Sequence, residues 1–230
     1  MASATGTEVE LKLRVDDLAA LMRIVVAAKA RPAFTAVQHN RYFDTARRGL
    51  DKSKHVLRLR VETSPDTTTV FITAKGASKK SADGTLSHVP EEEIVISGNE
   101  RDGVLARPAL ALELLDNDAD ATDARRALVQ TMREALGDDE LVFVGEFINE
   151  RTRINVDFPE GFGGVLELDR VVFPGNQIHH EVEFEVPASV DALVAKKAFE
   201  ALFKRADVVG RQAPGKAKRF FAALRGEKLA

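Results

Sequence analysis

The sequence predicts an α+β fold, mainly β, in which about eight antiparallel strands form a closed barrel with helices around it. Three observations point there. Residues 8–15 alternate charged and aliphatic side chains without a break, similar segments recur at spacings short enough for hairpins, and helical periodicity is confined to stretches before, between and after them. Successive side chains of a strand face opposite ways, so Glu8, Glu10, Lys12 and Arg14 share one side and Val9, Leu11, Leu13 and Val15 the other. One face is wholly ionic.

The remaining elements follow in order. Asp16 and Asp17 are good N-cap residues, and Leu18, Leu21, Met22, Val25 and Val26 recur at helical spacing as far as about Lys29, with Pro32 preventing extension. Residues 40–44 read as a short strand. Residues 56–62 (VLRLRVE) repeat the opening pattern, setting Arg58, Arg60 and Glu62 opposite Leu57, Leu59 and Val61, and residues 69–75 (TVFITAK) are β-branched and aromatic, with Thr73 and Lys75 on one side. Residues 76–88, aperiodic and rich in Gly, Ser, Lys and Asp, read as a mobile loop in a hairpin connection. A strand over 91–96 opens with three acids. Helical periodicity at 104–115 and at 122–136, the latter between Thr122 as N-cap and Gly137 as stop, defines a helical insert at about 103–137. Strands resume at 141–147, 150–158, 165–173 and 178–186, with Arg151 and Arg153, then Glu167 and Asp169, then Glu181, Glu183 and Glu185 in phase. Ser189 caps a helix over 190–204, and a basic helix covers 216–224.

Composition narrows the function classes. With 44% hydrophobic and 30% charged residues the chain is globular, and 230 residues suit a single domain, 1–230. A net charge of -3 gives no overall pull toward nucleic acid or an anionic membrane, so neither is expected as a partner. The absence of cysteine excludes disulfides, thiolate metal sites and cysteine nucleophiles. No stretch approaches the roughly 20 apolar residues of a membrane span, and residues 1–7 lack a signal peptide's basic and apolar regions; the expectation is a soluble, cytoplasmic protein. The adjacent His179 and His180 point opposite ways on a strand, against a shared zinc site. Residues 161–164 lack the spacing and lysine of a phosphate loop and read as a turn, while the tail over 211–228 reads as a solvated amphipathic helix in which Phe220 and Phe221 pack.

Charge sign is sorted by strand: acids on the opening, middle and closing strands, bases on 56–62, at Lys75 and on the Arg151 strand. Two arrangements are open, one with charged faces solvated around an aliphatic interior, the other with an ionic interior and helices covering the aliphatic face. Such sorting suits a ligand that is itself a chain of anions and metals.

Glu8-x-Glu10-x-Lys12 resembles the ExExK signature of the CYTH domains, or triphosphate tunnel metalloenzymes. The likeness continues through Tyr42-Phe43-Asp44-Thr45, Leu57-Arg58-Leu59-Arg60, Thr73-Ala74-Lys75, Pro90-Glu91, Leu168-Asp169, Glu181-Val182-Glu183 and Lys216, across nearly the whole chain. A five-residue pattern alone arises by chance; an ordered series of blocks does not. The resemblance implies a tunnel-shaped eight-stranded barrel that binds a triphosphate and hydrolyses or cyclises it with Mg²⁺ or Mn²⁺. Carried over by position, Glu8, Glu10, Asp169, Glu181 and Glu183 would hold metal, and Lys12, Arg58, Arg60, Lys75, Arg151 or Arg153, and Lys216 would grip phosphate. Lys12 also takes a catalytic place, and the general base would be Glu91 or Glu93, three consecutive acids leaving the inward register open. Val89 and Pro90 stand where relatives often carry an arginine ahead of that acid. The leading activity is a metal-dependent hydrolase acting on inorganic triphosphate, a small molecule, to give pyrophosphate and phosphate. Thiamine-triphosphatase and class IV adenylate cyclase are the enzyme alternatives. A non-catalytic polyphosphate or nucleotide-binding barrel is the other class, disfavoured because an anion binder gains nothing from five converging carboxylates. With no tryptophan and one tyrosine, Tyr42, the chain offers little to stack a nucleobase on, Phe71 being the clearest aromatic in phase with Lys75.

Overall fold

Alternating patterns become strands and the 3.6-residue patterns become helices in a computed structural model that describes residues 5–30, 34–77, 79–80 and 86–227, with backbone alone at 5–8, 79–80 and 86–88. The order is β1 (Thr5–Val15), α1 (Leu18–Ala27), β2 (Phe34–Thr45), α2 (Gly49–Lys52), β3 (Val56–Thr63), β4 (Thr68–Lys75), β5 (Lys79–Lys80) and β6 (Leu86–Ile96). There follow α3 (Gly98–Ala106), α4 (Leu110–Asn117), α5 (Asp123–Leu136), β7 (Leu141–Phe158), β8 (Phe162–Phe173), a 3₁₀ turn, β9 (Gln177–Glu185), α6 (Ala192–Arg205) and α7 (Lys216–Leu224). The strands follow the hydrogen-bonded order β1-β9-β8-β7-β2-β3-β4-β6-β5. The α+β, mainly β class is therefore the one observed: eight long strands with antiparallel pairing, plus the two-residue β5. Calling the barrel closed overstates it slightly: the strand order ends on the two-residue edge strand β5, although β1 also pairs with β6.

The described residues fall into two compact units, one of 5–7, 38–77 and 89–147, the other of 8–30, 34–37, 79–80, 86–88 and 148–227. In the first, Leu57, Leu59, Ile72, Ala74 and Ile94 from β3, β4 and β6 are sealed by Val104, Leu112, Leu115, Val129 and Met132 of the insert helices. In the second, Leu11, Leu13, Leu166, Leu168, Val182 and Phe184 are sealed by Leu21, Ile24 and Val25 of α1 and Ala195, Phe199 and Leu202 of α6. Each of these side chains larger than alanine contributes about 1.5–3 kcal/mol on burial. In both units the helices take the aliphatic face, which decides between the two arrangements the sequence left open. The ionic face is left for the site.

Several boundaries differ from the sequence reading, each for a local reason. The strand expected at 40–44 runs over Phe34–Thr45. The strands expected at 141–147 and 150–158 are one 18-residue strand, in which Gly145, at φ 142°, adopts a conformation open to glycine and the strand continues. The helix expected at 104–115 is two helices: Pro108 has no N–H to continue α3, and Arg107 before it is extended at φ -141°, ψ 90°. Helix α3 also begins earlier than expected, because Ser97 and Glu100 form a capping box. Asp191, not Ser189, caps α6, its Oδ1 accepting from Leu193 and Val194. Asp17 caps α1, and Thr122 and Gly137 bound α5, as expected. Within the stretch taken as a loop, the backbone at Leu86 already belongs to β6; residues 78 and 81–85, and the loop reading for them, lie outside the described residues. Among the described residues no helix is long and apolar enough to cross a membrane.

Candidate active site

The second unit assembles its ionic face from four adjacent strands. The register sets Lys12 opposite Glu183, Glu183 opposite Glu167 and Glu167 opposite Arg153, and in the next row sets Arg14 opposite Glu181, Glu181 opposite Asp169 and Asp169 opposite Arg151. Each row reads base, acid, acid, base. Residues directly opposite on antiparallel strands share a face, so acids from two neighbouring strands meet in the middle with bases at both ends.

Side-chain geometry follows from those rows. The Arg151 guanidinium donates from Nε to Asp169 Oδ1 (2.8 Å) and from Nη2 to Asp169 Oδ2 and Glu183 Oε2 (2.6 Å each), and also pairs with Glu167. Arg153 donates to Glu167 at 3.0 Å. Lys12 Nζ lies 2.9 Å from both Glu10 and Glu183. From α7, Lys216 Nζ reaches Asp169 (2.7 Å), Glu183 (2.6 Å) and Glu181. Asp169 and Glu181 are fully buried, and ligand oxygens of Asp169, Glu181 and Glu183 lie within 4.8 Å of one another. Burial opposes ionisation of Glu183, yet Lys12, Lys216 and Arg151 outweigh it and hold that carboxyl well below its ordinary range. Asp169 is lowered too, burial being overcome by Arg151 and Lys216. Glu10 goes the other way: burial, then the Glu183 charge, push it up to about 7. Lys12 and Lys216 are raised, since their neighbouring carboxylates outweigh the burial that would lower them.

The sequence reading missed two participants. Glu167, noted only as in phase with Asp169, bridges Arg151 and Arg153. Arg219, placed by the reading in a solvated helix, is fully buried: it pairs with Glu181, donates to His179 Nδ1 and Pro214 O (3.0 Å each) and lies 5.1 Å from the Phe173 ring. The overlooked signal is the three-residue step from Lys216 to Arg219, which puts both on one helix face. Phe220 and Phe221 pack as expected. His179 is pushed down to about 4 by burial and by Arg14 and Arg219, so its neutral ring accepts from Arg219.

In the first unit the register sets Thr73 between Arg58 and Glu93, and places Lys75 opposite Glu91. Arg58 Nη2 donates to Thr73 Oγ1 (3.0 Å), Thr73 to Glu93 (2.6 Å), and Arg58 lies 3.7 Å from Glu91 and 3.5 Å from Glu93. Lys75 pairs with Glu91, and Arg60 Nε donates to Asn40 at 3.2 Å. Buried Arg58 Nε has no hydrogen-bond partner. The middle acid, Glu92, accepts from buried Arg125 of α5 (3.0 Å), so Glu91 and Glu93 share the ionic face and Glu92 anchors the insert. Of the expected site residues, the side chain of Glu8 lies outside the described residues. Glu10 meets Glu183 through Lys12, while Glu91, Glu93, Arg58, Arg60 and Lys75 form the first unit's cluster.

Buried carboxylates flanked by bases on an antiparallel sheet are a donor set that could hold a cation. The CYTH domain model matches residues 6–221, and the chain belongs to the CYTH domain family. Among solved structures it is similar to HpAC1 from Hippeastrum, a proposed adenylyl cyclase with a dominant triphosphatase activity, at 27% identity and a TM-score of 0.74 over 96% of this chain and 97% of that one. A proposed adenylate cyclase from Bacillus halodurans (20% identity, TM-score 0.64, 96% and 100% covered) and the PH1819 protein from Pyrococcus horikoshii (17%, 0.58, 94% and 99%) share the fold. No curated protein matches the chain.

Proposed function

We propose that the protein is a divalent-metal-dependent triphosphatase that converts inorganic triphosphate to pyrophosphate and phosphate. The observation that carries the reading is the buried cluster of Asp169, Glu181 and Glu183, whose ligand oxygens lie within 4.8 Å. Oxygen donors of this kind fit Mg²⁺ or Mn²⁺, so the donor set suits the metal that the family implies. These three carboxylates would hold the ion, with Glu10 beside Glu183. A bound divalent cation neutralises phosphate oxygens and lowers the pKa of a bound water.

The chain's own side chains supply the rest. Arg151 and Lys12 fix the orientation of Asp169, Glu183 and Glu10. Arg58, Arg60, Lys75 and Arg153 offer N–H donors to phosphate oxygens, and the Arg58 Nε lacking a hydrogen-bond partner is a donor that an anion would satisfy. Glu91 or Glu93 would accept the proton of the attacking water. Charge neutralisation and positioning are most of what phosphoryl transfer asks of a protein.

Inorganic triphosphate is favoured over ATP because the one tyrosine, Tyr42, is buried and stacked on Phe147 at 5.6 Å, and there is no tryptophan. A compact polyanion needs no stacking surface. The dominant triphosphatase activity of HpAC1, at 27% identity, supports hydrolysis over cyclisation. Phosphate release from triphosphate, thiamine triphosphate and ATP, with Mg²⁺ and with Mn²⁺, tests the reading. The expected result is the highest kcat/KM on triphosphate; a higher value on ATP, or cyclic AMP as the main ATP product, overturns it.

A further inference from the structure

Helix α7 brings two cations to the acidic cluster, and they are held differently. Arg219 is fully buried, bonded to Glu181, His179 and Pro214 and set against Phe173, so it is a fixed part of the wall. Lys216 is the first residue of α7, follows the exposed Gly215, and its side chain is 13% exposed. Its Nζ contacts Asp169 Oδ2 at 2.7 Å, Glu183 Oε1 at 2.6 Å and Glu181 Oε1. Those are the three carboxylates that lie close enough together to hold a metal ion. The ammonium donates to Glu183 Oε1 and forms ion pairs with Asp169 and Glu181, so one compact point charge serves all three carboxylates.

A divalent cation bound by the same oxygens would sit where the ammonium sits, and two like charges at such a distance in a buried site repel strongly. We infer that Lys216 is a built-in counter-ion: it holds the carboxylates together in the metal-free protein and is exchanged for the divalent cation, which frees its ammonium at the exposed end of α7 to meet an anionic ligand. The inference rests on the metal site proposed above. Exchange is feasible because the lysine stem is long and rotatable, while Arg219, one turn on, keeps α7 docked to Glu181. Metal entry and polyanion binding are thereby coupled, each favouring the other, as linkage requires.

Calorimetric Mn²⁺ titration of wild type, K216Q and E183Q, without and with a triphosphate analogue that is not hydrolysed, tests the exchange. K216Q removes the competing charge, so it should bind Mn²⁺ about tenfold tighter than wild type and should lose about tenfold of the strengthening that the analogue confers. Should K216Q fail to fold, acetylation of Lys216 in the wild-type protein, read by mass spectrometry, carries the test: labelling should rise on adding Mn²⁺. Equal or weaker Mn²⁺ binding by folded K216Q, or labelling unchanged by Mn²⁺, overturns the exchange. Equal Mn²⁺ binding by wild type and E183Q, or none by either, overturns the metal site itself and the exchange with it.

Discussion

The two compact units use one sequence grammar, charged and aliphatic residues in alternation, to opposite electrostatic ends. In the second unit acids of β8 and β9 sit beside one another, and Lys12, Arg151, Arg153, Lys216 and Arg219 pair with them. In the first, acids are separated by bases or a hydroxyl: Glu91 answers Lys75, Glu93 answers Thr73, and Arg58 stands between with one donor lacking a hydrogen-bond partner. Among the described residues a group of acids close enough for a metal ion occurs in the second unit and not in the first. Whether a strand pair gathers its acids together or alternates them with bases thus depends on which residues the register sets side by side, more than on how many charges each strand carries.

The largest expected effect breaks the second cluster. Glu183→Gln keeps shape while removing a charge shared by Lys12, Arg151 and Lys216, so triphosphate turnover should fall by more than the roughly 10- to 100-fold that loss of an outer metal partner costs. Steady-state kinetics with a circular-dichroism check of folding would show it; near-normal turnover contradicts the assignment. Next, Arg219→Met leaves the buried Glu181 carboxylate short of a partner, at a cost of about 3–5 kcal/mol. Chemical denaturation measures that loss. In the first unit, Arg58→Gln should weaken binding of triphosphate by an amount set by charged hydrogen bonds, about 1.5–3 kcal/mol each, while leaving Mn²⁺ affinity alone. An equal loss of both in calorimetry would erase the contrast between the clusters.

The smallest effect concerns pH. Glu10 is raised from 4.5 to about 7, so between those values the folded state holds a proton that the unfolded state releases, and stability from this group is present below 4.5 and lost as pH rises through about 7. Glu183 and Asp169 are lowered, so their contribution has the opposite sign: present above their ordinary values, lost as pH falls through the depressed ones. His179, pushed down to about 4, contributes with the opposite sign below 6.5, so the test is a difference between proteins: Tm of the metal-free wild type should fall relative to that of Glu10→Gln between about pH 5 and about pH 7. A constant difference would show that Glu10 ionises normally.

Strand alternation made both ionic faces legible, since a period of two fixes which side chains travel together whatever the tertiary context. It did not reveal which acid of Glu91, Glu92 and Glu93 faced which way; that comes from β4, where Lys75 sits opposite Glu91, and from Arg125, which claims Glu92 from the helical side. The break at Pro108 was readable from the missing N–H and the constraint on Arg107, and apolar periodicity on both sides hid it. Arg219 was obscured by its setting among lysines and arginines. The neighbouring Phe220 and Phe221, both buried, mark α7 as a helix against the core, on which a buried arginine needs an acid.

The most direct measurement of the metal site is an anomalous difference map from a crystal grown with Mn²⁺, for wild type and for Glu183→Gln. A peak ligated by oxygens of Asp169, Glu181 and Glu183, absent in the variant, is the predicted result. A peak elsewhere, or none, with those three carboxylates still held by Lys216 and Arg151, would contradict it.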